Sequence, residues 1–273
     1  MESYKEYPDY IHNGTFSVKR LAFDSINSTQ TYSTSHQLVD HDKENKLVVV
    51  TANTQTAGIG SHSRKWRSDI PGNVLASISF SSKLLPTNKT ITYLTQIGTI
   101  AVDMELNNYL PPEKRAFTKW PNDVFVNNKK ICGILTQFGP SYNGATQITT
   151  GIGCNINLSQ DVLDSIDQPA TSLSAECNNK AFDCELITFN IVKNFIELIH
   201  KYQQLPKQFG LDLKSNLLEW SGNICVFDDE TQKEITGQVK SVNEDGFLEI
   251  QEESNGKLFT IKSGTLRKIK ESI

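Results

Sequence analysis

The densest set of side chains that could do chemistry lies in residues 119–133, written KWPNDVFVNNKKICG. Within it, Asn122 and Asp123 offer a carboxamide and a carboxylate, and Lys130 offers an ammonium group. A carboxylate, a carboxamide and an ammonium group at one sheet edge would suit an anionic substrate with a bound cation. The alternative is a solvated hairpin with chance charges.

The same segment predicts the elements that would position these groups. Pro121 cannot donate to a central ladder and holds the residue before it extended, so a strand should end at Lys119-Trp120. Residues 124–126 and 131–135 then form two short strands joined at Asn127-Asn128, because asparagine tolerates the left-handed backbone of tight hairpins. The two arms bring the aspartate and the second lysine to the same end of the hairpin.

A second polar run, Ser28-Thr29-Gln30, follows closely on a predicted strand at 16–23. Its hydroxyl side chains can cap a helix that extends to about residue 39. The alternative is that the run caps a helix and does nothing else.

A third polar segment, residues 55–66, follows a predicted strand at 46–54. The β-branched residues of this strand predict that both of its faces are buried under other parts of the protein. Gly58 and Gly60 would let backbone N–H groups approach an anion, while Arg64 and Lys65 supply positive charge beside Trp66. A lone G-x-G in a polar loop is also compatible with a flexible surface loop.

Glycines interrupt a further predicted strand at 147–158. Gly151, Gly153 and Asn155 are expected to face a pocket, since glycine inside a strand marks a close backbone approach. A β-bulge at a sheet corner is the alternative interpretation.

The remaining elements are predicted from periodicity. A strand at 73–80 alternates with period two, which places one face on a core. Helices at about 90–109, 185–203 and 207–220 carry apolar residues at helical spacing. The predicted core-facing positions of the first two are Leu94, Ile97, Ala101 and Met104, and then Leu186, Phe189, Val192, Phe195, Ile196, Ile199 and Tyr202. Short strands alone follow, at 224–227, 235–242, 247–250 and 258–261, and predict a small β-barrel of roughly fifty residues.

Composition excludes several classes of protein. The 273 residues suffice for a large domain plus a small one, and 37% hydrophobic with 21% charged residues is ordinary for a globular protein. A net charge of −4 and a pI near 5.8 argue against nonspecific binding to nucleic acid or anionic membranes. No apolar run approaches the ~20 residues of a membrane span, and the polar N-terminus is unlike a signal peptide, so the cytoplasm is expected.

The cysteines are odd in number and form no C-x-x-C pair, which predicts reduced thiols and no zinc site. They are Cys132, Cys154, Cys177, Cys184 and Cys225. Of these, Cys132 and Cys154 sit in apolar strand patterns and are expected to fill the core.

Taken together, these segments resemble the biotin protein ligase family, from about residue 21 to the C-terminus. Residues 119–123 followed by Lys130 and Gly133 reproduce the family pattern K-W-P-N-D…K-x-x-G. Ser28-Thr29-Gln30 is similar to Ser-Thr-Asn, and residues 151–155 are similar to the family's G-x-G-x-N segment. Residues 170–173 (ATSL) match a further family string.

The resemblance implies a fold and a reaction. The fold is α/β (α+β), with a mixed-sheet catalytic domain at residues 1–220 and a small C-terminal all-β barrel at 221–273. The reaction adenylates biotin with ATP and Mg²⁺, then transfers it to a lysine of a biotin carboxyl carrier domain of a biotin-dependent carboxylase. The twenty or so residues before the match are too few for an operator-binding helix-turn-helix module, so the expectation is a ligase without nucleic-acid or membrane binding. Both a monomer and a homodimer stay open.

The resemblance also assigns roles residue by residue. Lys130 and Asp123 would be catalytic. The biotin-binding residues would be Ser28, Thr29, Gln30, Gln55, Gly58, Ile59, Gly60, Ser61, Lys130 and Gly133. The ATP- and adenylate-binding residues would be Arg64, Lys65, Trp66, Asn122, Asn155 and Arg267. No metal ligands can be named.

The chain departs from the family pattern at one loop. Ile59 and Ser61 stand where the family usually has arginines, and Ser63 stands for a later glycine. Loss of a guanidinium facing an acyl-phosphate would remove on the order of 1.5–3 kcal/mol of charge-assisted hydrogen bonding. An inactive biotin-binding protein is therefore weighed as an alternative. A lipoate or octanoate ligase or transferase is a second alternative, because such enzymes belong to a related fold group and also modify a carrier lysine.

Overall fold

The computed structural model describes residues 3–12, 16–42, 45–85, 90–217 and 223–268. The strands are β1 (Tyr4–His12), β2 (Phe16–Ile26), β3 (Lys46–Gln55), β4 (Asn73–Ser81), β5 (Phe117–Lys119), β6 (Asp123–Val126), β7 (Lys129–Tyr142), β8 (Ala145–Asn155), β9 (Asn223–Asp228), β10 (Lys233–Val242), β11 (Leu248–Glu252), β12 (Leu258–Ile261) and β13 (Gly264–Lys268). The helices are α1 (Thr29–Ser35), α2 (Ile91–Leu106), α3 (Gln160–Asp164), α4 (Leu173–Glu176), α5 (Cys184–Gln204) and α6 (Pro206–Asn216).

Eight strands form one mixed sheet in the order β1-β2-β3-β4-β8-β7-β6-β5. Only the β2–β3 pair within it is parallel, and the other neighbours are antiparallel. The fold is therefore the predicted mixed α/β class.

Strand β4 lies at the centre of this sheet, and all nine of its residues are buried. As the alternation predicts, one of its faces joins the main core, through Val74, Ala76, Ile78 and Phe80. The other face carries buried serines, and α1 packs on it.

Helices α2 and α5 pack against each other and against the sheet. Most of the predicted stripe positions are buried, but Met104, Leu186 and Phe189 are exposed, which corrects their assignment to the core. In the same stretch of α5 Ile187 and Ile191 are buried, so Leu186 and Phe189 lie on the opposite, outward side of the helix.

The opposite face of the sheet carries α1, which begins at the N-cap Ser28 and ends at Ser35. This helix is four residues shorter than the predicted end at residue 39. Its run of threonine and serine has low helix propensity, and Thr34 and Ser35 bond back to main-chain carbonyls of the preceding turn.

The last five strands form an antiparallel sheet in the order β12-β11-β10-β9-β13, at the place of the predicted small barrel. Its apolar residues belong to the same continuous core as the main sheet. The turn at Gly246 is one contact between the two sheets, since its carbonyl accepts hydrogen bonds from Gln96 Nε2 (2.7 Å) and Trp120 Nε1 (3.0 Å). The predicted boundary at residue 220 lies outside the described residues.

Strands β1 and β13 were not predicted as separate strands, and β7 extends seven residues past its predicted end at 135, whereas the others match predictions to within a few residues. Strand β8 pairs with β4 in unbroken register through Gly151 and Gly153, so no bulge occurs at these glycines. Cys132 and Cys154 are fully buried as predicted, and none of the five cysteines is paired with another. No helix in the described ranges is long and apolar enough to cross a membrane.

Candidate functional site

Two adjoining cavities lie beside the hairpin, and the first opens on the face of the sheet that carries α1. The first cavity, of about 470 Å³, lies over the ends of β4, β7 and β8. It is lined by Ser28, Thr29, Gln30, Gln55, Ile59, Gly60, Ser61, Trp66, Leu75, Ala76, Ser77, Asn122, Lys130, Gly133, Ile134, Leu135, Gly151, Ile152 and Gly153. Most of the predicted biotin-binding residues therefore come together here.

The floor of the first cavity is a buried hydrogen-bond network centred on Thr29. Its backbone N–H and its hydroxyl both donate to Gln55 Oε1, at 2.7 and 3.0 Å. Ser77 Oγ donates to the Thr29 hydroxyl at 3.0 Å, and Gln55 Nε2 donates to Ser68 Oγ at 3.2 Å. Because buried polar groups are costly when unpaired, this network fixes the orientation of the groups that a ligand would meet.

Gln30 lies across the floor and is only 4% exposed. Its Nε2 lies 3.2 Å from the carbonyl of Leu135 and 3.3 Å from that of Thr149, while its Oε1 accepts from Ser77. A Cβ at Gly151 would lie 2.5 Å from Gln30 Oε1, so the strand must carry glycine at this point. Gly151 thus makes room for the long side chain at the third position of the Ser-Thr-Gln run.

Gly133 and Gly153, opposite each other on β7 and β8, make a slot for the indole of Trp66. A Cβ at Gly153 would lie 2.6 Å from the indole Nε1, and one at Gly133 would lie 3.1 Å from its Cζ3. The Nε1 is buried without a hydrogen-bond partner in this arrangement. The indole is therefore a wall of the cavity.

The predicted hairpin forms as β6 and β7, with Asn127 at φ 50° and Asn128 at φ 61° in the turn. Lys130 Nζ lies 2.6 Å from Asp123 Oδ1 and 5.4 Å from the centre of the Trp66 ring. The lysine side chain is 13% exposed and the aspartate side chain 18%, so this ion pair is largely shielded from water. The hairpin thus delivers the predicted charged pair to the rim of the first cavity.

A β-bulge determines which way Lys130 faces. In the β6–β7 register Val124 pairs with Cys132 but Phe125 pairs with Lys130, which leaves Ile131 as an extra residue. Lys130 and Gly133 are three positions apart and would face opposite sides of a regular strand. The bulge puts both on the cavity side and buries Ile131 in the core instead, since bulges re-aim side chains beside a site.

The polar loop after β3 closes against the hairpin. Ser61 Oγ accepts a hydrogen bond from Asn122 Nδ2 at 3.2 Å, and the same amide lies 3.2 Å from the carbonyl of Ile134. Arg64 Nε donates to the Ser61 carbonyl at 3.2 Å. The serine that replaces a family arginine therefore joins the loop to the K-W-P-N-D segment.

The second cavity, of about 850 Å³, lies between the hairpin, α2 and the C-terminal sheet. It is lined by Ser61, His62, Arg64, Ile91, Thr92, Thr95, Lys119, Trp120, Pro121, Asn122, Asp123, Ile134, Leu135, Thr136, Gln168, Ser263, Gly264, Thr265 and Leu266. It shares Ser61, Asn122, Ile134 and Leu135 with the first cavity, so the two are continuous.

Four of the predicted site residues do not line either cavity. Gly58 packs against the chain at 66–68, where a Cβ would lie 2.3 Å from Ser68 Oγ. Lys65 is exposed and pairs through its backbone with Ile59. Asn155 is buried and donates to the carbonyl of Thr171 at 3.0 Å. The backbone of Arg267 lies in β13 next to the lining residues 263–266, and its side chain is outside the described atoms.

Sequence reasoning missed several lining residues. Ser77 on β4 is the most informative, since its hydroxyl bonds to both Thr29 and Gln30. The signal was present as serines at alternate positions of a strand that is otherwise apolar. The residues of the second cavity that come from α2 and from 263–266 had no local signal, because only the packing of the two sheets brings them there.

Metal binding can be judged from the donor set. Within the described ranges no group of three or more His, Cys, Asp or Glu side chains could hold a metal ion. Asp123 is the carboxylate shared by the second cavity and the hairpin, and it is already paired with Lys130. A single carboxylate fits Mg²⁺ that arrives bound to substrate phosphates, because that ion commonly takes one or two protein carboxylates together with phosphate oxygens.

Comparisons with known proteins agree with this geometry. The "Bifunctional ligase/repressor BirA" of Bacillus spizizenii is 34% identical over 158 residues, which are 58% of this chain and 46% of the relative. The "Biotin--[acetyl-CoA-carboxylase] ligase" of Mycobacterium tuberculosis is 22% identical over 201 residues, 74% of this chain and 72% of the relative. The chain thus spans about half the length of the Bacillus relative.

Solved structures show the same fold. A biotin protein ligase from Aquifex aeolicus, in complex with biotin and ATP, matches with a TM-score of 0.75 and 23% identity over 92% of this chain and 99% of that chain. A family description, "Biotin/lipoate A/B protein ligase family", matches residues 22–157, which contain the loop, the hairpin and the glycine pair of the first cavity. The chain belongs to the biotin/lipoate A/B protein ligase family.

Proposed function

We propose that the chain is an ATP-dependent ligase that activates biotin as biotinyl-5′-AMP and transfers the biotinyl group to a lysine of a biotin carrier domain. The observation that carries this proposal is the meeting of two cavities at one hairpin, where Lys130 and Asp123 form a shielded ion pair. Two substrates can occupy the two cavities with their reacting ends near this pair.

The comparisons support the proposal by what the relatives are called. The Aquifex neighbour is described with biotin and ATP, and the Mycobacterium relative is a biotin–[acetyl-CoA-carboxylase] ligase. Both resemble this chain over most of its length.

Biotin would occupy the first cavity. Its ureido group presents N–H donors and a carbonyl acceptor, which match the hydroxyl and amide groups of Ser28, Thr29, Gln30 and Gln55. Gly60, Ile59 and Ser61 from the loop would cover the bound acid, with Gly133 beneath it. Its carboxylate would then point toward Lys130.

In the first step a biotin carboxylate oxygen attacks the α-phosphorus of ATP. The bond from that phosphorus to the bridging oxygen of the β-phosphate breaks, and pyrophosphate leaves. Two anions must approach each other, so a fixed cation lowers the barrier by stabilising the charge of the transition state. We assign this role to Lys130, whose ammonium group is held at the rim by Asp123.

In the second step the amine of the carrier lysine attacks the carbonyl carbon of the mixed anhydride. An amide forms, AMP leaves with the electrons of the broken C–O bond, and the amine loses a proton. Asp123 is the carboxylate nearest to this region, and we propose that it orients the incoming amine while Asn122 orients the phosphate.

The nucleotide would occupy the second cavity. Arg64 and Asn122 line it, whereas Trp66, the other proposed adenylate contact, lines the first cavity. We keep Lys65, Asn155 and Arg267 as proposed nucleotide contacts that rest on the family resemblance. Mg²⁺ would enter with ATP as part of the nucleotide substrate, and it would neutralise phosphate charge.

The partner that we propose is a biotin carboxyl carrier domain of a biotin-dependent carboxylase, acting in the cytoplasm where ATP is supplied. We propose no nucleic-acid or membrane partner, because the net charge is −4.

Sedimentation would decide between a monomer and a homodimer. We also keep the division into residues 1–220 and 221–273 as a proposal. Truncation after Ser221 should leave biotin binding measurable and impair the use of ATP.

The test of function is incubation of the chain with Mg²⁺–ATP and either biotin or lipoate, followed by detection of acyl-AMP and pyrophosphate. Biotinyl-AMP, and labelling of an added carrier domain, are the expected products. Lipoyl-AMP alone would move the chain to the lipoate branch of the family. Binding of biotin without release of pyrophosphate would show an inactive binding protein.

A further inference from the structure

The backbone of Lys130 is held by a segment that lies far from it in sequence. Lys130 pairs with Phe125 of β6, and its N–H donates to the carbonyl of Pro169 at 2.9 Å. The Lys130 carbonyl accepts from the N–H of Thr171, also at 2.9 Å. These two bonds place residues 169–171 beside Lys130 as a short parallel bridge, here called the 169–171 clamp.

The clamp is itself fixed by one buried carboxylate. Thr171 Oγ1 donates to Glu176 Oε1 at 2.6 Å, and Glu176 is 7% exposed. Glu176 Oε2 accepts from Asn127 Nδ2 in the hairpin turn at 3.0 Å and lies 2.9 Å from Lys114 Nζ. One carboxylate therefore ties the clamp, the tip of the hairpin and the segment before β5 together.

We propose that Glu176 is a positioning residue for Lys130, holding the lysine backbone through the 169–171 clamp on one oxygen and the hairpin tip on the other. Glu176 lines neither cavity, so it would act only through these neighbours. The inference rests on the proposed function, because it concerns the cation assigned to adenylation.

The charge state of Glu176 agrees with this arrangement. Burial would raise the pKa of its carboxyl, but the hydrogen bonds from Thr171, Lys114 and Asn127 outweigh burial and leave the pKa below its usual value. The residue is thus ionised at neutral pH and can accept hydrogen bonds on both oxygens.

The substitution Glu176→Gln tests the idea sharply, because a carboxamide has one acceptor oxygen and the carboxylate has two. If the remaining oxygen still accepts the hydrogen bond from Thr171, the new NH₂ group faces the donors of Asn127 and Lys114. If the amide is rotated by 180°, the hydrogen bond from Thr171 is lost, and with it the support of the 169–171 clamp. Either orientation frees one of the two supports of Lys130.

Two readouts are needed. Amide hydrogen exchange at Lys130 and Thr171 should become faster in Glu176→Gln, while exchange at Ser77 on β4 stays as in the wild type. The kcat for biotinyl-AMP formation should fall about 10-fold or more, with the KM for biotin changed by less than about twofold, because small displacements of a catalytic group cost rate more than binding.

The matched control is Glu185→Gln, which makes the same change in a glutamate that is ion-paired with Arg20 at 2.7 Å, away from both cavities. It should leave exchange at Lys130 and kcat unchanged. Thr171→Val removes the clamp bond alone, and Asn127→Gly removes the bond at the hairpin tip while glycine accepts the φ of 50°. Each should show part of the effect, and Thr171→Val should add little to Glu176→Gln.

Unchanged exchange at Lys130 in Glu176→Gln, or a kcat equal to that of the wild type, would overturn the proposal. If Glu176→Gln does not fold, Thr171→Val and Asn127→Gly decide the matter by the same readouts. A wild-type chain that forms no biotinyl-AMP would overturn the proposed function instead, and the exchange rates would still show whether Glu176 holds Lys130.

Discussion

The two cavities are built in different ways. The first is set into a single sheet, and its floor residues Ser28, Thr29, Gln30 and Gln55 are 1–7% exposed. Their polar atoms bond to one another or to the backbone. The second lies between two sheets, and its lining includes the exposed Arg64 and the exposed loop residue Ser263.

This difference indicates two modes of recognition. A floor of buried, mutually bonded groups presents a fixed pattern of donors and acceptors, which suits a small uncharged polar group such as a ureido. A cleft between docked units depends on how those units sit, which suits a larger charged ligand whose binding can adjust the cleft. The hairpin is common to both cavities, so damage to it should be the most severe.

Lys130→Ala should have the largest effect, a fall in biotinyl-AMP formation of about 10²–10³-fold, because it removes the cation that meets both anions. Single-turnover formation of biotinyl-AMP is the measurement. The variant leaves Asp123 shielded and unpaired, so the double variant Asp123→Asn/Lys130→Ala is the control for stability. A wild-type rate in either variant would remove Lys130 from catalysis.

Thr29→Val should weaken biotin binding about 10-fold through the first cavity alone, since it removes the hydrogen bonds of the Thr29 hydroxyl to Gln55 and Ser77, each contributing about 0.5–1.5 kcal/mol. Titration calorimetry with biotin measures this, and the KM for ATP should stay constant. The control is Ser79→Ala. Ser79 lies on β4, like Ser77, but outside the cavity, and the substitution breaks its buried hydroxyl hydrogen bond with Thr149 of β8. Equal losses from both variants would contradict a floor specific to biotin.

Trp120→Phe should act on the second cavity only. It keeps a buried ring and removes the 3.0 Å bond from the indole to the carbonyl of Gly246, which contributes roughly 0.5–1.5 kcal/mol. The KM for ATP is expected to rise about threefold while biotin affinity holds, because a bond of this strength corresponds to a factor of a few. Tyr109→Phe, which loses a hydroxyl bond to Glu105 outside both cavities, is the control. A rise in the biotin dissociation constant would show that the two cavities are not separable.

Asp103→Asn should have the smallest effect on activity and should reveal how α2 and β5 are joined behind the second cavity. Burial raises the pKa of Asp103 to about 7, only partly offset by the hydrogen bond from Thr118 and the charge of Arg115. Because the folded-state pKa is raised, the wild type keeps its full stability below about pH 4 and loses it as pH rises through about 7.

The variant cannot ionise, so its melting temperature should match the wild type near pH 4 and exceed it at pH 8, by roughly 2–4 °C per kcal/mol. Thermal unfolding across this pH range is the measurement. A difference in melting temperature between variant and wild type that is the same at all pH values would mean that ionisation of Asp103 does not destabilise the fold.

Local signals in the sequence were enough for the hairpin and for the main elements. Asn127-Asn128 between two β-branched segments predicted a tight turn, and the turn forms with both residues at positive φ. Ser28 was predicted as an N-cap, and its hydroxyl accepts from the N–H of Thr31 at 3.3 Å. These features depend on a few neighbouring residues, so the sequence alone determines them.

Other features depend on parts of the chain that meet only after folding. The β1 segment, YKEYPDYIH, contains proline and little alternation, and it becomes a strand because the edge of β2 is available to it. The exposure of Leu186 and Phe189 depends on which side of α5 packs against the rest of the protein, since Ile187 and Ile191 beside them are buried. The bulge at Ile131 was not predicted either, because the shift of register exists only once β6 and β7 have paired.

The bulge also constrains how this site could be transferred to another protein or redesigned. Copying Lys130 and Gly133 onto a regular strand of another protein would bury the ammonium group, since an odd separation reverses the face. Straightening the bulge here without removing a residue should do the same, because Lys130 and Gly133 would stay three positions apart on a regular strand. The number of residues between the two positions is therefore as much a part of the site as their identity, and a loop-length scan at Asn127-Asn128 should be tolerated far better than one at Ile131.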